Sequence, residues 1–215
     1  MTERQRILPL FPLKRVVLFP GMPLPLHIFE ERYKLMIGAC QVSAEPFGVV
    51  LIRSGEEVGA AARPERVGCT ARLVRVDRFP DGTMDILSVG EHRFALQASP
   101  RVAPEGYLVG LTHVTMDEEL PSNLPSKLVE SVVAEFQAYW AELMQHARRA
   151  STAVPELPHG AVELSFRVAA ALAVDPLEQQ QLLMMDDVRA RLERELTLLR
   201  RENRPGRMIG PFSVN

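Results

Sequence analysis

Proline placement constrains this chain more than any other feature. Five of its 17 prolines fall between residues 8 and 25: Pro9, Pro12, Pro20, Pro23 and Pro25. A proline has no N–H to donate and its ring clashes with the preceding helical turn, so a regular helix is excluded there. What remains is extended chain at sheet edges, bulges and turns. LPLFPL (8–13) and MPLPLHI (22–28) therefore read as short strands around a Pro20-Gly21 turn.

The pattern then changes. In EERYKLMIGAC (30–40), Tyr33, Met36, Ile37 and Cys40 recur at helical spacing, which predicts one short helix. FGVVLI (47–52) has the length and uniform apolarity of a buried strand, and residues 53–66 read as a loop. VGCTARLVRV (67–76) offers Val67, Cys69, Ala71 and Leu73 to an inner face, with Val74 competing. Asp81-Gly82 is a hairpin-turn dipeptide, because glycine accepts positive φ. TMDILSV (83–89) and HRFALQA (92–98) read as two strands separated by Gly90 and Glu91, and YLVGLTHV (107–114) as another. Six or seven short strands with Gly and Pro punctuation imply a small barrel or sandwich.

Near residue 117 the strand pattern gives way to helices. DEELPSNLPS (117–126) reads as a junction. Beyond it, Leu128, Val132, Phe136, Tyr139, Trp140 and Leu143 trace a helical stripe, and VELSFRVAAALA (162–173) a second helix. Asp175-Pro176-Leu177-Glu178 is a helix start: Asp caps, Pro fits the first turn, and Glu178 stands where a capping box wants it. DDVRARLERELTLLRRE (186–202) is the fourth helix, with Asp186 as its expected cap and Val188, Leu192, Leu196 and Leu199 on one face. The expected division is a β unit over 1–117, a helical bundle over 118–204 and a tail over 205–215, whose Met208, Ile209 and Phe212 could dock.

Several function classes are excluded or unsupported. Twenty-five basic against 27 acidic residues give a net charge of -2, which argues against a protein that coats nucleic acid. Only three of the basic residues are Lys: Lys14, Lys34 and Lys127. Cys40 and Cys69 are too few and too far apart for a disulfide framework, which points to a reducing cytoplasm. No run approaches the ~18 apolar residues a bilayer span requires, and prolines interrupt any signal core at the start, so neither a membrane nor an export signal is expected. His27, His92, His113, His146 and His159 have no ligand-like spacing, and no metal or cofactor is expected. The chain lacks the P-loop, GxGxxG, GxSxG and HExxH motifs. Glu30/Glu31 and Asp186/Asp187 read as helix-start carboxylates rather than an acid/base pair. Arg72, Arg75 and Arg78 could touch phosphate, but Asp77 and Asp81 dilute their charge. No catalytic residue is expected.

Three blocks carry a family resemblance. LPLFPLKRVVLFPGMPLPLHIFEERY (8–33) resembles the start of the N-terminal, substrate-recognition domain of Lon proteases, with Pro20, Gly21, Phe29, Glu30 and Tyr33 as the distinctive positions. VGCTARLVRVDRFPDGTMDILSVGEHRFAL (67–96) is similar to that family's hairpin block, carried here by Gly68, Thr70, Ala71, Asp81, Gly82, Gly90 and Arg93. Gln181-Leu182-Leu183 followed by Asp187-Val188-x-x-Arg191-Leu192 resembles its helical segment. The resemblance implies an α+β fold: an N-terminal PUA-like β pseudobarrel with one short helix, followed by a C-terminal helical bundle. These motif residues each have a structural reading, with Phe29 and Tyr33 packing the first helix on the barrel and Arg93 fixing a strand end beside an acidic neighbour.

The expectation is a stand-alone, cytoplasmic, non-enzymatic module of this family, without the ATPase and peptidase modules of complete Lon proteases. Its expected partner is an unfolded or extended polypeptide or another protein, taken by side-chain burial or edge-strand addition in an apolar groove between barrel and bundle. Met22, Leu24, Leu26 and Ile28 on the strand, with Trp140 and Met144 on the helix, are the candidate contact residues. RNA binding through the PUA-like fold is one alternative, and a small-molecule enzyme with an unrecognised site is another.

Overall fold

A computed structural model describes residues 4–55, 63–115, 124–146 and 155–204. The tail 205–215 and the junction segment 116–123 lie outside the described residues, as do 56–62 and 147–154 of the expected loops. The chain forms two compact units, Met1–Asp117 and Glu118–Val214.

The first unit is mixed. Its strands are β1 (Arg4–Leu13), β2 (Pro23–Ile28), β3 (Phe47–Ser54), β4 (Arg63–Pro64), β5 (Val67–Arg78), β6 (Met84–Leu96), β7 (Arg101–Val102) and β8 (Leu108–Thr115), with helix α1 (Glu31–Ser43) between β2 and β3. The ladders run β6-β5-β3-β1-β8, and β8 pairs back with β6, so they return to their start. All pairings are antiparallel except β1 with β3, which are joined through α1.

Two cores follow from strand alternation. Leu8, Leu10, Val50, Phe94, Leu96 and Val114 pack together on the face enclosed by the ring. That space is narrow, and glycines make room in it. A Cβ at Gly68 would lie 2.3 Å from the Val49 carbonyl oxygen and 2.7 Å from the Phe94 ring, so this position admits no side chain. The opposite face packs Phe11, Leu13, Val49, Cys69 and Ile86 under Tyr33, Met36, Ile37 and Cys40 of α1. Tyr33 stacks on Phe11 at 4.2 Å. The helix ends where Ala44 turns left-handed (φ 56°).

One expectation is corrected here. The two strands read over 83–89 and 92–98 are a single strand, β6. Pairing shifts from Cys69↔Arg93 to Ala71↔Gly90, so β6 carries one extra residue there, a bulge. The bulge lets one strand serve two neighbours: β2 pairs along Met84–Val89, and β8 along Arg93–Leu96. A second bulge, at Val74 of β5, turns that side chain out to solvent.

The second unit contains α2 (Ser126–His146), α3 (Ala161–Ala171), α4 (Pro176–Met184) and α5 (Val188–Glu202). Helix α5 touches the other three. Asp175 caps α4 by accepting from the Leu177 N–H, as expected, but the Glu178 carboxylate receives both guanidinium arms of Arg201. The α5 cap is Asp187, not Asp186: its carboxylate accepts from the N–H groups of Arg189 and Ala190. The buried face of α5 is also more polar than its sequence suggested, because Arg191, Glu195 and Glu202 are buried beside Leu192 and Leu199. Arg191 lies on the Phe166 ring at 4.1 Å and donates to Ser165 Oγ and the Met185 carbonyl, while Ser165 donates to Glu195 at 2.6 Å. In the third motif block the buried glutamine is Gln180, and Gln181 is exposed.

Candidate functional site

Most motif residues build the fold. The Pro20-Gly21 turn is clipped onto the β6 bulge: Gly21 N–H donates to the Gly90 carbonyl at 2.8 Å, and Gly90 N–H to the Met22 carbonyl at 3.0 Å. A Cβ at Gly90 would sit 2.2 Å from the Phe19 carbonyl oxygen, which explains glycine there. Thr70 Oγ1 accepts from the His92 N–H and donates to the His92 carbonyl, closing the same bulge. Asp81 accepts from both the N–H and hydroxyl of Thr83 around Gly82 (φ 81°), a local turn that also holds the Asp81 carboxyl below its ordinary value. Arg93 is buried where β6 passes from β5 to β8. Glu30 stands at the α1 N-cap but makes no side-chain cap bond, and instead holds Arg32. Phe29 departs from expectation: it is 57% exposed beside the His27 ring rather than packed under α1.

The expected contact residues do not form an open surface. Leu24 (4% exposed) and Ile28 (2%) belong to the core, and Met22 and Leu26 pack partly against it. Leu24, Leu26 and Ile28 are inward positions of β2, Met22 precedes the strand, and alternation turns Pro23, Pro25 and His27 outward. The backbone alternates too. Since the Met22 carbonyl faces β6, the outer edge of β2 falls to Pro23, Pro25 and His27, and two of these lack an N–H. Edge-strand addition on β2 is therefore disfavoured. In the second unit Met144 is buried, and Trp140 is half-buried with its ring 6.0 Å from that of Phe136.

The open apolar surface lies elsewhere. Helix α1 covers the outer face of β1 only over Phe11 and Leu13. Beyond it, the same face continues as Ile7, paired with Leu111, and Pro9, paired with Val109. Ile7 is 63% exposed and Leu111 42%. Pro9 and Val109 form the floor of a depression of about 510 Å³, walled by Ala39 and Cys40 of α1 and by Tyr107. At its rim Arg6 pairs with Glu45 at 3.0 Å. Arg6 and Glu45 also border a second depression, of about 330 Å³, lined by Thr70, Glu91, His92 and Val114. The sequence carried a signal for the first depression: ILPLF is apolar at both parities, so both faces of that strand need a cover.

These depressions suit binding better than catalysis. Burial and the nearby Glu45 push the Cys40 thiol up to about 11, so little thiolate is present at neutral pH. Burial likewise raises Tyr107. The three arginines considered for phosphate binding have protein partners: Arg72 bonds Glu91 at 2.6 Å, Arg75 bonds Asp77 at 2.8 Å, and Arg78 bonds Gln41. Among the described residues no group of three or more His, Cys, Asp or Glu is placed to hold a metal, and no helix is long and apolar enough to cross a membrane.

Residues 7–201 match the family model of the ATP-dependent protease La (LON) substrate-binding domain. The chain belongs to this family. It is 29% identical over 205 residues to a Lon protease of Roseiflexus castenholzii and 28% identical over 208 residues to Lon protease 2 of Myxococcus xanthus. Those matches cover 91% and 92% of this chain but 24% of each relative, so the chain spans about a quarter of their length. Among solved structures, the Lon N-terminal domain protein from Xanthomonas campestris is 27% identical with a TM-score of 0.68, covering 89% of this chain and 98% of that one. The N-terminal domain of Mycobacterium avium complex Lon protease shares the fold at 18% identity and a TM-score of 0.60. The LON blocks quoted from the sequence thus correspond to a family that extends across both units.

Proposed function

We propose that this LON-domain chain is a non-catalytic polypeptide-recognition module of cytoplasmic proteolysis, serving as a substrate-binding or adaptor protein. The observation that carries the reading is the apolar sheet face of Ile7, Pro9, Val109 and Leu111, left uncovered beside α1 and leading into the larger depression. Apolar surface left next to a helix that covers only half of its sheet face is a recognition surface by default. It takes the place of the Met22–Ile28 and Trp140/Met144 surface. The family's substrate-binding description supports the same role.

On this reading the first unit is the PUA-like pseudobarrel, supported by ladders that return to their start, and the second is a helical bundle organised around α5. The β subdomain runs over 1–117, the bundle over 118–204, and 205–215 is a tail.

The test uses reduced, carboxymethylated α-lactalbumin, which stays unfolded without denaturant. Fluorescence anisotropy should show saturable binding by the full chain and none of the native, disulfide-intact form. Ala39→Trp, which fills the depression from an exposed helix position, should weaken that binding about tenfold or more. Absence of binding to the unfolded form would sink the proposal.

A further inference from the structure

The parallel ladder between β1 and β3 stops early, and the reason is local. It pairs Leu10 with Gly48 through Leu13 with Leu51. Continued backwards, the register would set Leu8 opposite Pro46 and Arg6 opposite Ala44. Pro46 has no N–H to give, and Ala44 (φ 56°) turns the chain away into α1. On its other side β1 pairs with β8 from Arg4 to Leu10. Among the described residues, Arg4–Leu8 thus has a strand on one edge and no ladder on the second.

The two depressions lie on opposite faces of this edge. Ile7 and Pro9 are outward positions, and the larger, apolar depression is on their side. Val114 pairs with Arg4 and packs with Leu8 and Leu10 on the enclosed face, and it lines the smaller, polar depression with Thr70, Glu91 and His92. Arg6 and Glu45 border both. An extended chain beside β1 sends alternate side chains to opposite faces. Its backbone completes a ladder, one parity of side chain enters the apolar depression, and the other enters the polar one.

We propose that the free edge of β1, Arg4–Leu8, accepts an extended polypeptide as an added strand, selecting segments that alternate apolar with polar residues. This rests on the polypeptide-recognition reading above and names its substrate pattern and binding mode. The occupant is a polypeptide because the edge offers backbone donors and acceptors in strand geometry, which only another extended main chain matches along its length. β1 can serve where β2 cannot, since no proline falls between Arg4 and Leu8. The Arg6–Glu45 pair that bridges the edge is made by partly exposed side chains, and such a pair opens at little cost.

The probe is a blocked peptide of about eight residues alternating leucine with threonine or lysine, measured with the full chain by fluorescence anisotropy. In an added strand one parity of backbone amides faces the host and the other faces solvent. N-methylation of one parity should weaken binding at least about tenfold, and of the other less than about twofold. Ala39→Trp should weaken the parent peptide, and Leu177→Trp, on α4 of the second unit, should leave it unchanged. If the peptide binds but both N-methylated sets respond alike, or Ala39→Trp has no effect, strand addition at β1 is overturned while polypeptide recognition stands. If carboxymethylated α-lactalbumin binds and the peptide does not, the alternating pattern and its edge are overturned. If neither binds, both readings fall.

Discussion

Glycines and one buried carboxylate show how single residues set limits on this fold. At Gly68 any β-carbon collides with main chain of β3 and with Phe94, neither of which can move without opening the ring. Gly68→Ala should destabilise the first unit by about 3 kcal/mol in urea denaturation, at the upper end for overpacking. A change below about 0.5 kcal/mol would mean the ring has slack there. Glu195 is buried on α5, and burial holds its carboxyl well above the ordinary carboxylate range. The unfolded chain ionises Glu195 at the ordinary value, so folding takes up a proton between the two. This contribution is fully present below the ordinary value and is lost as pH rises through the higher folded value. Glu195→Gln keeps an oxygen for the Ser165 hydroxyl and removes the titration. Its denaturation midpoint should therefore fall less steeply with pH over that interval than the parent's, and parallel profiles would refute the assignment. Neither effect was legible from composition. The apolar stripe of Val188, Leu192, Leu196 and Leu199 left out Arg191 and Glu195, and only contact with α3 shows that they face Ser165 and Phe166.

Local grammar was readable at the level of elements wherever the physics was local. The prolines of 8–25, the Asp81-Gly82 turn, the Asp175-Pro176 start and the Tyr33-Met36-Ile37-Cys40 spacing each correspond to an observed strand, turn or helix. Misreadings occurred where two local solutions competed. Asp186 and Asp187 are equivalent as letters, and helix phase selects Asp187. Asp187→Ala should cost about 1 kcal/mol in thermal or urea unfolding, and Asp186→Ala less than about 0.5 kcal/mol. Gly90-Glu91 resembles a turn, but a bulge pinned by Thr70 and by the Pro20-Gly21 turn carries β6 straight through. Edge protection is another property of an element. Pro23 and Pro25 occupy the outer backbone positions of β2, so replacing both with Thr restores two N–H donors to a free edge. That double variant should self-associate more strongly than the parent in sedimentation velocity as concentration rises. Unchanged sedimentation would show that prolines are not what protects this edge.

Charge balance and family membership operate on the whole molecule. With a net charge of -2, an apolar depression and a neutral ion pair at its rim, polypeptide binding should change less than about twofold between about 0.05 and 0.5 M salt. Nucleic-acid binding would instead fall steeply over that range as counterions are released. Anisotropy titrations at the two salt concentrations separate these outcomes, and a steep fall would favour the RNA alternative. The sequence by itself determined the LON family, the change from strands, the last of which ends at Thr115, to helices, the first of which starts at Ser126, and most of the longer elements, because hydrophobic period, proline and capping act within a few residues of chain. It could not place the uncovered apolar face, and of the strand residues it favoured Leu24 and Ile28 are core while Met22 and Leu26 pack partly against it. Which apolar face stays uncovered depends on where α1 stops along a sheet whose strands come from distant parts of the chain, and on a ladder that ends because Pro46 and Ala44 meet β1 only in the folded molecule. Those are non-local contacts, so tertiary structure alone decided them.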